Sequence, residues 1–291
     1  MNRTSGTPLW RPDPALLENA NIKKYMDWLF VKKGLYFNSY DDLWHWSVTD
    51  IESFWESLWA YFSIRKKDAY TQVLSRGSDG FIGTRWFERA TLSYAENVFR
   101  NKDRKRPAIW FKSERRKLTS ISWDELEKQV ASVAAWLKSV GIRPGDRVAG
   151  ILPNTPHAVI AFLATNSVGA VWSCCSPDFG NMAVVDRFYQ ISPKVIFAVD
   201  GYSYNGREFR KMEDLSLIKG AIPTVKHLVV IPYLDQDCNM SGLISWNDIL
   251  MATAPVLEFE AMPFSHPIWV LYSSGTTGKP KAIVHSAGGC L

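Results

Sequence analysis

The sequence predicts an α/β fold in which a parallel β-sheet is covered by helices on both faces. Between residues 108 and 231, helical patterns alternate with short strands rich in β-branched residues. Parallel strands buried on both faces have continuous apolar runs of this kind, and the helices between them supply the required crossovers. In the first hundred residues, apolar and aromatic residues recur mainly at helical spacing. We therefore expect a helical N-terminal cap region followed by an α/β domain.

Composition restricts the class of protein. The chain has 291 residues, 46% hydrophobic and 22% charged, which is enough to bury a sizeable core and form two domains. Its formal net charge of +5 suits anionic ligands such as nucleotides without indicating nucleic acid. We see neither a signal-peptide core nor an apolar run that could cross a bilayer, and we expect a cytoplasmic protein with no membrane partner. The four cysteines lack metal-ligand spacing, so we predict reduced structural thiols and no metal site.

Two amphipathic helices are predicted in the N-terminal cap region. The first covers residues 21–30. The second follows Thr49 and Glu52, which have the spacing of a capping box. Its apolar face consists of Ile51, Phe54, Trp55, Leu58, Trp59 and Phe62. Such aromatic stripes are more often core than ligand site, and we interpret this one as packing onto the main domain. The charged run 100–106 is the best boundary, giving a cap region of residues 1–100 and an α/β domain of residues 101–291.

The α/β domain begins with a predicted hairpin of residues 108–111 and 118–121. Ser122 and Glu125 form a second capping-box pattern, which opens a helix that ends before Gly141. Further strands are predicted at residues 147–152, 170–173, 194–199 and 227–231. The helices between them are predicted at residues 155–168, 183–191 and 209–219.

A polar loop near residue 280 carries the most specific chemical signal. Residues 272–281 read YSSGTTGKPK and lie between two apolar runs, which predicts strand, loop and strand. Glycines let backbone N–H groups turn inward, and hydroxyl and ammonium groups donate hydrogen bonds to phosphate oxygens. It is not a Walker A loop, because Gly275 and Gly278 are only three residues apart and Pro280 disfavours a following helix. We interpret it as a polyphosphate-binding loop; the alternative is an ordinary surface hairpin.

Residues 273–281 resemble the signature loop of the acyl-adenylate-forming enzymes, which include acyl-CoA synthetases, luciferases and the adenylation domains of peptide synthetases. Two segments narrow the resemblance to the acetyl-CoA and acetoacetyl-CoA synthetases: WF at residues 86–87 and LSYAEN at residues 92–97. The run AVWSCCSPDFG at residues 170–180 is most similar to the acetoacetyl-CoA synthetases. The resemblance covers essentially the whole chain. It implies the N-terminal part of the large domain of an adenylate-forming enzyme, with the family's catalytic lysine and other late motifs expected downstream of residue 291.

The activity implied by the resemblance is that of an ATP-dependent acid–CoA ligase. In such enzymes a carboxylate attacks the α-phosphorus of Mg²⁺-bound ATP, giving an acyl-adenylate and pyrophosphate, and the CoA thiol then displaces AMP. We therefore expect acetoacetate, ATP with Mg²⁺, and CoA as small-molecule substrates. Activity on acetate or propionate is the close alternative. A truncated, non-catalytic remnant is another, and a complementing C-terminal chain could supply the missing motifs.

The resemblance also implies candidate site residues. Those expected to contact the ATP phosphates are Ser273, Ser274, Gly275, Thr276, Thr277, Gly278 and Lys279. A weaker candidate lies at residues 200–207, where related enzymes have R-x-G-R to grip the CoA nucleotide. This chain retains Gly206 and Arg207 but has Tyr204 in place of the first arginine. Arg207 is thus a candidate contact for a CoA phosphate, with an ordinary surface arginine as the alternative. No catalytic residue is predicted within the chain.

Other reactive side chains are expected to be structural. His285 adjoins an apolar run, where a lone histidine is more often packed than functional. Cys174 and Cys175 lie at the end of a predicted buried strand, and we expect inert thiols there. Asp178 is expected to shape a turn with Pro177 and Gly180.

Overall fold

A computed structural model describes residues 10–100, 102–235, 243–250, 255–273 and 278–291 of the chain. The chain divides into two compact units, Met1–Ile64 and Arg65–Leu291. The division between a cap region of residues 1–100 and a domain of residues 101–291 stays a prediction. None of the helices in the described ranges is long and apolar enough to span a membrane.

The described part of the first unit is built from helices α1 (Pro14–Glu18), α2 (Asn21–Lys33), α3 (Tyr40–Thr49) and α4 (Ile51–Tyr61). Tyr25, Leu29 and Leu43 are its buried centre, against which Phe54 and Leu58 pack. The last two residues belong to the aromatic stripe of α4. Part of that stripe therefore belongs to the core of this unit. The predicted packing of the stripe onto the main domain stays a prediction.

The N-terminal cap of α4 differs from the predicted one. Asp50 precedes the helix, and its carboxylate accepts the Ser53 N–H at 3.3 Å. Thr49 instead ends α3, where its hydroxyl donates to the His45 carbonyl at 2.9 Å. The predicted capping box of Thr49 and Glu52 was therefore wrong. Only Asp50 separates α3 from α4, and Thr49 is still part of α3.

The strands of the second unit, within the described ranges, are β1 (Gln72–Gly77), β2 (Gly80–Glu88), β3 (Thr91–Leu92), β4 (Ile109–Phe111), β5 (Thr119–Ile121), β6 (Arg147–Ile151), β7 (Val171–Cys175), β8 (Val195–Val199), β9 (Gly201–Tyr204), β10 (Arg207–Arg210), β11 (His227–Ile231), β12 (Ile244–Ser245), β13 (Met262–Pro263), β14 (Pro267–Ser273) and β15 (Lys281–Ser286). Its helices are α5 (Tyr94–Phe99), α6 (Trp123–Ser139), α7 (Pro156–Ser167), α8 (Asn181–Ile191), α9 (Met212–Ala221) and α10 (Trp246–Leu250), followed by a 3₁₀ turn, Gly288–Cys290.

A sheet that is seven strands wide in the described residues organises this unit. Its order is β12-β11-β8-β6-β7-β14-β15, and neighbouring strands are parallel except for the last pair, β14 and β15. Helices α6 and α7 pack on one face, and α8 and α9 pack on the other. The predicted parallel sheet with helices on both faces is confirmed.

Several local predictions are also confirmed. Strands β4 and β5 pair as an antiparallel hairpin. The Ser122 hydroxyl accepts the Glu125 N–H at 3.1 Å, which caps α6. Apolar residues on one face of this helix, including Leu126, Val130 and Leu137, are buried in the core. Local capping chemistry and burial of one face therefore agree along this helix.

The predicted helix of residues 209–219 begins later than expected. Residues 201–210 form an antiparallel hairpin of β9 and β10, and α9 begins at Met212. The turn is Asn205-Gly206, with φ angles of 51° and 72°. An Asn-Gly pair is the strongest short-range signal for such a turn. We interpreted this segment as a ligand loop from its sequence and therefore did not predict the hairpin.

The order of the strands determines where a ligand can bind. The chain passes from β6 through α7 to β7 on one face, and returns from β7 through α8 to β8 on the other. Where the direction of the crossovers reverses in this way, a crevice opens at the carboxyl ends of the strands.

The side chain of Trp172 packs closely against Gly150 in β6, near this crevice. A Cβ at this position would lie 2.8 Å from two ring atoms of Trp172, whose side chain is only 2% exposed. We expect Gly150→Ala to lower the free energy of unfolding by about 1–3 kcal/mol, because the added methyl group would force the packed indole to shift. Urea unfolding measures the change.

Gly220→Ala is the matched control, since a Cβ there meets no atom within 4 Å. Gly220 lies in α9, where alanine favours the helix by up to about 1 kcal/mol. A Gly150→Ala variant as stable as the wild-type chain would contradict the close approach.

Candidate ligand site at the carboxyl edge of the sheet

A cavity of about 880 Å³ lies at the carboxyl edge of the sheet. Its walls come from the segments that follow three adjacent strands: residues 152–155 after β6, residues 176–178 after β7 and residues 202–204 after β8. Because these strands are parallel, their carboxyl ends meet at one edge, where the crossovers change face. The cavity therefore occupies the crevice that the strand order creates.

Aromatic side chains form a large part of the cavity wall. The aromatic residues that line it are Phe111, Phe162, Trp172, Tyr202, Tyr204, Tyr233 and Trp269. Within the described ranges, the lining includes no lysine or arginine, and its one carboxylate is the exposed Asp178. Rings offer a large apolar surface with little conformational freedom to lose. Such a cavity suits an uncharged or planar group rather than a bare anion.

Three lining residues carry buried polar atoms without a hydrogen-bond partner in the described part of the chain. They are the Thr155 hydroxyl, the Ser203 hydroxyl and the Trp269 indole N–H. Thr155 also precedes α7 without forming a side-chain cap. Buried polar groups in folded proteins are nearly always hydrogen-bonded. Their occurrence around one cavity favours a ligand that has donors and acceptors of its own.

His157, in the first turn of α7, is a packed residue. Its ring meets that of Trp246 edge to face, with the centroids 5.3 Å apart. Burial, with a smaller contribution from the charge of Arg116, lowers the pKa of His157 to about 4. The imidazole is therefore neutral at pH 7 and contributes no charge to the adjoining cavity.

Cys174 and Cys175 border the cavity as protonated thiols. They project to opposite faces of the sheet, one toward the core under α7 and the other toward the core under α8. Burial raises the pKa of Cys174 to about 11 and that of Cys175 to about 12. Because the thiolate is the reactive form, the prediction of inert thiols is confirmed.

The predicted phosphate loop lies at the same edge of the sheet. Strand β14 ends at Ser273, and β15 returns antiparallel from Lys281. The two predicted strands on either side of the loop are confirmed. Four of the candidate residues lie outside the described ranges: Ser274, Gly275, Thr276 and Thr277. Gly278 has a φ of 91°, a conformation that glycine adopts at little cost.

Helix α8 anchors both ends of this loop. The Tyr272 hydroxyl donates to the Arg187 carbonyl at 2.6 Å, and the Gln190 amide donates to the Pro280 carbonyl at 3.1 Å. The ammonium of Lys279 lies 3.6 Å from an Asp186 carboxylate oxygen, although the lysine side chain is 79% exposed. The two ends of the loop, at Tyr272 and Pro280, therefore lie against α8.

Arg187 of α8 brings a second cation close to Tyr272, near the end of β14, which sequence reasoning missed. Its guanidinium lies 4.7 Å from the ring centre of Phe179 and 5.9 Å from that of Tyr272. Burial raises the pKa of Tyr272 to about 12, so this phenol is neutral. A single arginine in an amphipathic helix carries no sequence signal, because only the tertiary fold brings it close to Tyr272.

The weaker candidate site lies at the tip of the β9–β10 hairpin. Arg207 is exposed and begins β10, directly after Gly206. The N–H groups of Asn205 and Gly206 donate to the two carboxylate oxygens of Glu114 at 2.9 Å and 3.0 Å. These two bonds lower the pKa of Glu114.

The two candidate sites share one edge of the sheet. The hairpin follows β8 and the loop follows β14, with β6 and β7 between them. Three strand spacings amount to about 14 Å at the strand ends. The other reactive residue, His285, lies away from this edge, half-buried within β15 and opposite Trp269.

Asp200 is a scaffold residue to which sequence reasoning gave no role. It is 3% exposed, and its carboxylate accepts the N–H groups of Tyr233, Leu234 and Asp235 at 2.8, 2.9 and 2.8 Å. Three successive amides bound to one carboxylate fix this turn after β11. Tyr233 lines the cavity, so Asp200 holds part of its wall in place.

The fold and its crevice define an α/β protein with a candidate ligand site at the carboxyl edge of a parallel sheet. Comparison with known proteins then gives the family. A family model described as "AMP-binding enzyme" matches residues 96–291, and one described as "Acetyl-coenzyme A synthetase N-terminus" matches residues 40–98. The chain belongs to the AMP-binding enzyme family.

Individual relatives agree with this assignment. The chain is 40% identical over 293 residues to the acetoacetyl-CoA synthetase of Macaca fascicularis, covering 97% of the chain and 43% of that protein. It is 38% identical to the acetoacetyl-coenzyme A synthetase of Rhizobium meliloti (strain 1021), covering 98% of the chain and 44% of the relative. The chain thus spans less than half the length of these curated relatives. The predicted resemblance to acetoacetyl-CoA synthetases is confirmed.

A solved structure supports the fold. The acetoacetyl-CoA synthetase from Streptomyces lividans superposes with a TM-score of 0.91 at 41% sequence identity, covering 97% of this chain and 44% of that one. The predicted fold, the N-terminal part of an adenylate-forming large domain, is therefore confirmed.

The role of Asp200 can be tested by removing its charge while keeping its size. We expect Asp200→Asn to lower the free energy of unfolding by about 2–3 kcal/mol, because a neutral amide cannot accept all three buried N–H bonds. Denaturant unfolding measures the loss. Asp178→Asn, at an exposed carboxylate on the same edge, is the control and is expected to change stability by less than about 0.5 kcal/mol. Equal losses in the two variants would show that Asp200 does not anchor the turn.

Proposed function

We propose that this chain is the N-terminal part of an ATP-dependent acid–CoA ligase that activates acetoacetate to acetoacetyl-CoA through an acyl-adenylate, with release of AMP and pyrophosphate. The supporting observation is the similarity to acetoacetyl-CoA synthetases along 97% of the chain. The proposal includes the expected cytoplasmic location. It also includes a catalytic lysine supplied by sequence beyond residue 291 or by a complementing chain.

In this proposal the loop after β14 binds the β- and γ-phosphates of ATP, whose Mg²⁺ enters with the nucleotide. Ser273 supplies a hydroxyl, Gly278 permits close approach of the backbone, and Lys279 supplies a positive charge. The same roles extend to the loop residues outside the described ranges. Nucleotidyl transfer needs little covalent help from the protein, because positioning and charge stabilisation account for most of the catalysis. Arg187 of α8, close to Tyr272, adds to the positive potential that stabilises the departing pyrophosphate.

Lys279 can exchange its present partner for phosphate at little cost. Its side chain is 79% exposed, and the distance of 3.6 Å to Asp186 is long for a direct hydrogen bond. Exposed pairs of this kind contribute about 0–1 kcal/mol. A phosphate oxygen offers a more highly charged acceptor, so the lysine is available when ATP binds.

The second half-reaction uses the other side of the crevice. We place a phosphate of CoA at the tip of the β9–β10 hairpin, against Arg207, and the uncharged part of CoA toward the aromatic cavity. The amide groups of that uncharged part provide donors and acceptors for the buried polar atoms of Thr155, Ser203 and Trp269. The absence of lysine and arginine from the described lining of the cavity fits this division of roles.

The proposed reaction is tested first by substrate-dependent exchange. We expect the complete protein to exchange pyrophosphate into ATP when acetoacetate is supplied, and less so with acetate or propionate. The 291-residue chain alone is expected to form no AMP, since the catalytic lysine is predicted to lie beyond it.

Each other outcome selects a specific alternative. Faster exchange with acetate or propionate indicates a different short-chain acyl-CoA synthetase, and no exchange with any acid indicates a non-catalytic remnant. The intact mass of the protein from its own source should be measured beforehand, because it shows whether residues beyond 291 exist. Acetoacetate-dependent AMP formation by the 291-residue chain would contradict the expected location of the lysine.

The CoA contact is tested by Arg207→Ala in the complete protein. Loss of one exposed charge-assisted contact, worth about 1 kcal/mol, is expected to raise KM for CoA about fivefold and leave KM for ATP unchanged. Arg210→Ala, three residues along the same strand, is the matched control. An unchanged KM for CoA in Arg207→Ala would rule out this role.

A further inference from the structure

The tip of the β9–β10 hairpin already holds an anion that belongs to the chain. Asn205 and Gly206 have positive φ angles of 51° and 72°, so their two N–H groups point to the same side of the turn. Each donates to a different oxygen of the Glu114 carboxylate, at 2.9 Å and 3.0 Å. Consecutive amides arranged in this way form a concave anion-binding site of the kind called a nest. The site is complete and is occupied by a side chain.

The contact with Glu114 is exchangeable. The glutamate side chain and both turn residues are exposed. When the contact opens, water can therefore hydrogen-bond to the two amides and to the carboxylate. The β4–β5 turn that carries Glu114 has other attachments. Arg115 pairs with Glu208 of β10, and the Arg116 guanidinium lies 4.9 Å from the ring centre of Tyr233. Glu114 can therefore leave the amides while the turn remains in place.

A phosphate and the Glu114 carboxylate cannot both occupy this nest. The two amides are saturated by the two carboxylate oxygens, and a second anion at the same point would be repelled by the first. Arg207 directly follows Gly206 in the sequence. A phosphate bound to Arg207 and to the two amides at the same time would have to displace Glu114 from those amides. The Glu114 carboxylate is thus an anion that accepts hydrogen bonds from the same two N–H groups as the expected phosphate.

We propose that Glu114 is an internal competitor for phosphate at the Asn205-Gly206 nest. In the free protein its carboxylate occupies the two amides. When a ligand with a phosphate monoester or diphosphate binds, the phosphate takes the amides and Glu114 moves into solvent. The inference rests on the proposed function in one respect, that the ligand is CoA. The exchange of anions at the nest holds for any phosphate ligand.

The test with CoA uses Glu114→Gln, which keeps the size of the side chain and removes its charge. We expect calorimetry on the complete protein to give a Kd for CoA about three- to fivefold lower than wild type. Glu208→Gln is the matched control, because it breaks the neighbouring link between the same two hairpins, and it is expected to change Kd less than twofold. Pantetheine, which lacks phosphate, is the matched ligand and should bind both variants as it binds wild type.

Three results would overturn the inference with CoA. An unchanged or weaker affinity in Glu114→Gln excludes competition. Equal weakening in Glu114→Gln and Glu208→Gln shows that the contacts only support the hairpins. A gain that pantetheine shares shows that the ligand phosphate is not involved.

A second readout separates failure of this inference from failure of the proposed function. With glycine-selective ¹⁵N labelling, inorganic pyrophosphate is expected to shift the Gly206 amide resonance, with half-saturation at a lower concentration in Glu114→Gln than in wild type. If pyrophosphate gives this result but CoA does not bind, Glu114 still competes with phosphate at the nest, and CoA is not the ligand. A Gly206 amide that pyrophosphate does not shift in either protein would reject the competitor, whatever the enzyme does with CoA.

Discussion

Pairing of β6 with β7 on one side and with β8 on the other is the interaction on which the candidate site depends. Residues Val148 to Ile151 form parallel ladders with both neighbours. Because the chain reaches β7 along one face and β8 along the other, the segments after these strands diverge at the carboxyl edge. The aromatic cavity occupies the space between them. Gly150 lies within this pairing, where the absence of a side chain leaves room for the indole of Trp172.

The sequence was most informative where local chemistry and burial act together. Ser122 caps α6, and the strands of the central sheet lie close to where their apolar runs predicted, because a buried parallel strand needs such a run whatever its neighbours are. Local reasoning failed where two signals overlapped. Thr49 ends one helix immediately before Asp50 caps the next, and the Asn205-Gly206 turn was concealed within a segment interpreted as a loop.

Features that depend on distant contacts could not be read from the sequence. The Asp200 carboxylate binds amides 33 to 35 residues away, and Glu114 binds amides 91 and 92 residues away. No spacing rule connects such partners, since tertiary folding alone brings them together. The cavity has the same origin, because its lining is gathered from segments that precede and follow several strands. The sequence could therefore predict a phosphate site in the loop after β14, but it could not show that a carboxylate already lies beside Lys279.

Carboxylates have two distinct roles at this edge of the sheet, and solvent exposure separates them. Asp200 is buried, and its carboxylate accepts three backbone N–H groups. Breaking these hydrogen bonds would leave a charge and three N–H groups without partners in a poorly solvated environment. That contact is permanent and fixes a wall of the cavity. Asp186 and Glu114 instead meet their partners in or near solvent, where water can replace either partner at small cost. Exposed pairs keep cationic and amide donors oriented without holding them irreversibly. In the proposed function this edge binds and releases phosphate groups, which needs both kinds of contact: a rigid scaffold and donors whose partners can be exchanged.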